Sequence, residues 1–193
     1  MEKKMRELLQ KIKREHLDVI EKFLESEGEK ILQVVDLCSK VISKGGKLLI
    51  FGNGGSAADA QHLAGELVNR FKKERNPLPA IALTTDTSVL TAIANDYDFS
   101  LVFVKQIQAL GNKGDLALAI STSGRSPNII EAIKVAKEKG LYTVGLSGGS
   151  GGEMGLYCDV LILVPSTNTP RIQEGHLLFL HIFSELLEEK LFG

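Results

Sequence analysis

The chain has 193 residues, 44% of them hydrophobic, and a formal net charge of -1. That length suits one domain, or a domain with an extension, and the near-neutral charge argues against a nucleic-acid surface as its main business. No apolar run reaches membrane-spanning length, and the charged start Met1-Glu2-Lys3-Lys4 is unlike a signal peptide, so a cytoplasmic protein with neither membrane nor nucleic-acid partner is expected. Cys38 and Cys158 have no metal-type spacing and read as packed hydrophobes.

From Arg6 to Lys44 the apolar residues recur with helical spacing, and Gly28 marks an expected break between two helices. This stretch belongs to no βα unit. Its apolar stripe needs a cover, either the domain's own body or, as favoured here, a second copy of the chain. Lys47 to Phe51 is short, aliphatic and β-prone, which predicts a buried parallel strand. Gly52-Asn53-Gly54-Gly55 breaks it, and Ser56 is the expected N-cap of a helix from Ala57 to Arg70. A strand, a glycine turn and a helix start make a corner suited to an anion or a sugar.

A second short strand is expected at Ala80 to Leu83. Thr84 to Ser88 then opens a helix through Ile93, and Asn95 to Asp98 leads into another from Phe99 to Leu110. Asp115 to Ile120 is the third strand. At its end, Ser121-Thr122-Ser123-Gly124-Arg125-Ser126-Pro127 offers hydroxyls and a glycine before a helix start, a phosphate cradle without a Walker lysine. Strands at Leu141 to Leu146 and Asp159 to Val164 flank a glycine-rich loop, and Arg171 to Phe192 forms a last amphipathic helix. Alternating strands and helices predict an α/β domain with a five-stranded parallel sheet, whose ligands bind beyond the carboxyl ends of the strands. The Gly52–Ser56 turn and the Ser121–Ser126 loop both fall at that edge.

His62 and Glu66 are four apart, so on a helix they share a face about 6 Å apart. Such a pair can chelate a metal, set a carboxylate base beside an imidazole, or be a plain surface ion pair. Gln173 and His181 are eight apart, about 12 Å along a regular helix and roughly 80° around it. One straight helix does not easily aim both at one ion, so an irregular helix start or a second chain is needed. His181 also lies in an apolar run that suits a core or interface residue.

Gly52-Asn53-Gly54-Gly55-Ser56 with Asp59-Ala60-Gln61-His62 and Glu66 resembles the start of the sugar isomerase (SIS) domain of phosphoheptose isomerases. Thr91 to Asp96, Ser121 to Ser126, and Arg171-Ile172-Gln173-Glu174 with His181 carry the resemblance along the whole chain. It implies a three-layer αβα sandwich, with residues 1–46 as an N-terminal helical extension for oligomerisation and 47–193 as the SIS domain. The implied activity converts sedoheptulose 7-phosphate to a heptose 7-phosphate through an enediol. The implied assembly is a homotetramer with sites at subunit boundaries and one Zn2+ per subunit, held by His62, Glu66, Gln173 and His181. Substrate contacts are implied at Asn53, Gly54, Gly55, Ser56, Glu66 and Gln173. Asn95, Asp96, Ser121, Thr122, Ser123 and Ser126 complete that set. Glu66 is expected as the catalytic base and His181 as the acid. A similar SIS protein is a non-catalytic partner of the replication initiator DnaA, which is the alternative. The positions matching Glu66 and His181 differ there, and this chain keeps both.

Overall fold

The computed structural model describes all of the chain, Met1–Gly193. Five parallel strands, β1 (Leu48–Gly52), β2 (Ala80–Ala82), β3 (Leu116–Ile120), β4 (Tyr142–Gly148) and β5 (Val160–Val164), form one sheet in the order β2-β1-β3-β4-β5. Helices α1 (Glu2–Ser43), α2 (Gly55–Val68) and α6 (Thr169–Phe192) cover one face. Helices α3 (Thr87–Asp96), α4 (Val102–Leu110) and α5 (Pro127–Glu138) lie on the other. The pleat explains the two cores. Leu48 and Ile50 of β1 join the α1–α2–α6 layer, whereas Leu49 and Phe51 join the opposite one. Every residue of β1 and β3 is buried, as expected of central strands in a sheet covered on both faces.

The expected break at Gly28 is not there. Helix α1 runs unbroken for 42 residues. A mid-helix glycine costs only about 1 kcal/mol relative to alanine, and the neighbouring Glu27 is buried, accepting bonds from Lys30 Nζ and from the Leu163 backbone N–H. Docking of this turn onto β5 outweighs the local penalty. The apolar stripe of α1 divides in two. Phe23, Ile31, Val34, Val35, Cys38 and Val41 are buried against the domain, while Met5, Leu8, Leu9, Ile12 and Leu17 stay exposed.

Three local boundaries also differ from expectation. Gly54, at φ 56°, is the N-cap of α2, so Ser56 lies inside the first turn and is buried. Asp86 caps α3 by accepting the Val89 N–H, and that helix continues to Asp96, placing Asn95 and Asp96 in its last turn. A short 3-10 turn at Phe99–Leu101 precedes α4. No helix is long and apolar enough to cross a membrane. Cys38 is buried, Cys158 is half-buried, and burial pushes both thiols up, Cys158 to about 12.

Candidate active site

In the strand order β2-β1-β3-β4-β5 the chain reverses direction of growth between β1 and β3, and a crevice opens there beyond their carboxyl ends. The turn after β1 and the loop after β3 face each other across it. Asn53 Nδ2 donates to Asn128 Oδ1 at 2.9 Å, and Asn128 Nδ2 donates back to Asn53 Oδ1 at 2.8 Å. This reciprocal amide pair fixes the width of the crevice. Gln173 closes it from α6. Its Nε2 lies 2.3 Å from where a Cβ on Gly55 would stand, so a larger residue there would push the amide aside.

The loop after β3 is stiffened from below. Ser121 is buried, and its Oγ accepts the Gly124 N–H at 3.1 Å while its carbonyl accepts Ser147 Oγ at 2.7 Å. His176 of α6 continues the chain of contacts, with Nε2 3.2 Å from the Ser147 carbonyl. Burial pushes this imidazole down to about 4, so the neutral ring donates from Nε2 and leaves Nδ1 without a partner. Ser126 occupies the N-cap position of α5, yet its side chain makes no capping bond. Its hydroxyl is therefore available, beside those of Thr122 and Ser123. A cleft of about 230 Å³ adjoins the loop, lined in part by Thr122, Ser123, Arg125, Ser150 and Thr167.

On the outer side of α2 a second constellation forms. His62 Nε2 lies 2.9 Å from Glu66 Oε1 and 3.4 Å from His181 Nε2. One donor atom from each of the three residues lies within 4.8 Å of the others. The helical spacing supplies the first pair, and the contact between α2 and α6 supplies His181. The His181 side chain is thus not a core residue: it is half-buried, with its ring edge-on to His62 and stacked on Phe71, centroids 5.1 and 5.6 Å away. Two imidazoles and a carboxylate are a common zinc set with room for another ligand. Gln173 and His181 lie in the same continuous helix, so of the two alternatives, an irregular helix start or a second chain, the structure does not show the first.

Asp59, one turn before His62, went unassigned in the sequence. Its Oδ2 is buried without a partner, and burial pushes the carboxyl up to about 6 against the pull of His62. An unpartnered buried oxygen near the exposed His62 imidazole is a mark of a ligand site. Asn95 and Asp96 are exposed and bond to each other, Nδ2 to Oδ1 at 2.9 Å; no hydrogen bond ties them to the crevice or to the histidines.

Comparison with known proteins places the chain in a family. Residues 12–148 fit the SIS domain family. Over 163 residues the chain is 57% identical to a phosphoheptose isomerase of Burkholderia pseudomallei (strain 1710b), covering 84% of this chain and 83% of that protein. The chain belongs to the SIS-domain phosphoheptose isomerase family. A family member from Trichlorobacter lovleyi is 48% identical over 192 residues, covering 98% of this chain and 96% of that protein. Among solved structures, the phosphoheptose isomerase of Neisseria gonorrhoeae superposes with a TM-score of 0.91 at 41% identity, covering 96% of this chain and 99% of that one. The family's fold therefore extends over α1 as well as the sheet. The enzyme from Francisella tularensis gives 0.93 at 36% identity, covering 96% and 98%.

Proposed function

We propose that this chain is a phosphoheptose isomerase that converts D-sedoheptulose 7-phosphate to D-glycero-D-manno-heptose 7-phosphate through an enediol, supplying precursor for surface polysaccharide. The observation that carries the proposal is the convergence of His62, Glu66 and His181, two of them on the helix that follows the glycine turn, in a chain 57% identical to a named phosphoheptose isomerase. Nothing comparable favours the DnaA-binding alternative.

Moving a hydrogen between C1 and C2 needs a base at carbon, an acid at oxygen and stabilisation of the enediolate. Glu66 serves as base. One of its oxygens, Oε1, faces His62, which leaves Oε2 for the substrate and lets the residue hold a metal and move a proton at once. His181 serves as the acid on the other side. Asn53, Gly54, Gly55 and Gln173 orient the sugar across the crevice. Ser56, Ser121, Thr122, Ser123 and Ser126 hold the phosphate by hydroxyl and backbone N–H donors, in keeping with the chain's lack of a strong positive field.

The donor set fits one Zn2+ per subunit, with His62, Glu66 and His181 as ligands and Gln173 as a fourth from the same or a neighbouring subunit. Zinc, when bound, supplies Lewis-acid polarisation of the carbonyl. The exposed start of α1 and the detached Asn95 and Asp96 fit a homotetramer in which residues 1–46 join subunits and sites form at their boundaries. A cytoplasmic location fits a sugar-phosphate substrate. The test is turnover of sedoheptulose 7-phosphate by purified protein, followed by NMR. Wild type should form heptose 7-phosphate. Glu66→Gln should lose turnover by roughly 10²- to 10⁴-fold while still binding inorganic phosphate. Absence of any heptose 7-phosphate from the wild type would refute the proposal.

A further inference from the structure

Behind the histidine corner lies a charged pair that the chemistry above does not use. Arg75 and Glu188 are each 1% exposed, with Nε 3.0 Å from Oε1. Two charges removed from water are tolerated only when their remaining donors and acceptors are satisfied, and here they are. Glu188 also accepts the backbone N–H groups of Phe71, Lys72 and Lys73 at 2.8 to 2.9 Å. These donors and Arg75 hold its carboxyl down at about 2, against the upward push of burial. Arg75 in turn donates to the carbonyls of Glu66, Leu67, Asn69 and Asn76.

Helix α2 has no basic residue in its last turn, and of its final carbonyls that of Leu67 accepts the Leu78 N–H at 3.0 Å. Arg75 supplies a basic group from outside, and one of the carbonyls it takes belongs to Glu66 itself. Glu188 sits seven residues, about two helical turns, after His181 on α6. The N–H groups it accepts place Phe71, whose ring stacks on His181 with 24° between planes. One buried knot thus touches both halves of the corner: the helix end that presents Glu66, and the ring that backs His181.

We propose that the Arg75–Glu188 pair, acting through Phe71, is the positioning device of the metal centre, setting the approach of α2 to α6 so that His62 and Glu66 meet His181. None of the three is itself one of the donors, and Phe71 meets one of them, His181, by its ring. The proposal rests on the metal centre described above. Residues that orient metal ligands typically change affinity or activity by roughly 10- to 100-fold when replaced.

The experiment measures Zn2+ affinity by competition with a chromophoric chelator and the visible absorption of the Co2+ form. It compares wild type, Phe71→Leu, Phe71→Tyr and Glu188→Gln. Phe71 is only half-buried, so Phe71→Leu should fold with a near-unchanged melting temperature. It should nonetheless bind Zn2+ about 10-fold more weakly and shift the Co2+ spectrum, and Phe71→Tyr should restore both. Glu188→Gln should show the larger loss. A Phe71→Leu protein with wild-type affinity and spectrum would overturn the positioning role, as would a Glu188→Gln protein that melts earlier yet binds metal normally. Wild type that binds neither ion would remove the metal centre as well, which separates the two failures.

Discussion

The hydroxyl side of the crevice, proposed above to hold phosphate, and the histidine corner, proposed to hold a metal, are built in opposite ways. The hydroxyl side is loop: a glycine turn and a run of hydroxyls shaped by short-range bonds such as Gly124 N–H on Ser121 Oγ. Ser147 Oγ on the Ser121 carbonyl and the Asn53–Asn128 pair tie it to neighbouring elements. The histidine corner is side chain, drawn from two helices with His62 and His181 separated by 119 residues. The first needs small residues at fixed places. The second needs two helices held at one distance, and a buried ion pair behind them does the holding. Local geometry makes a cradle for a common group such as phosphate; long-range packing aims three donors at one point.

That contrast predicts different failures. The largest effect is expected from Gly124→Ala. Gly124 has φ +61°, and an added Cβ would stand 1.9 Å from the Gly151 carbonyl oxygen, a clash with backbone that no rotamer relieves. The variant should lose at least about 2 kcal/mol of stability by chemical denaturation. Where it folds, KM for the sugar phosphate should rise while Zn2+ affinity stays at the wild-type value. Equal loss of both would show the two regions to be one cooperative unit.

A smaller effect separates them by pH. Burial holds His176 neutral with its pKa down at about 4, below the ordinary 6.5. The unfolded chain therefore takes up that proton first, and stability falls as pH drops from 6.5 towards 4. Glu188 is held at about 2, below its ordinary 4.5, so its contribution is complete above pH 4.5 and is lost as pH falls towards 2. Asp59, pushed up from 3.8 to about 6, acts in the opposite sense between those two values and offsets the His176 loss. His176→Asn should therefore leave the melting temperature rising as pH falls from 6 towards 4, while Glu188→Gln should remove the decline below pH 4.5. A profile unchanged by either substitution would contradict the assignment.

The same contrast explains what the sequence could disclose. The five strands and both loops are local features, short apolar runs ended by glycine or hydroxyl clusters, and they stood close to where they were expected. Gly28 misled because its local preference is weaker than the docking of Glu27 on Leu163, a contact 136 residues away. His62 with Glu66 was visible as a spacing but equally suited a surface ion pair. His181 sat among apolar neighbours that pointed to a core position, and only the family resemblance joined the three. Arg75 and Glu188 gave no signal at all. Glu188 is one of three acidic residues among Glu185, Glu188 and Glu189, and nothing local distinguishes the buried one.

The isomerase centre is proposed to form where α2 and α6 meet and to work with a metal. The most direct test is turnover of sedoheptulose 7-phosphate by protein stripped with a chelator, before and after Zn2+ is restored. Turnover should be lost on stripping and recovered with zinc. Turnover that persists in the stripped protein would contradict that proposal.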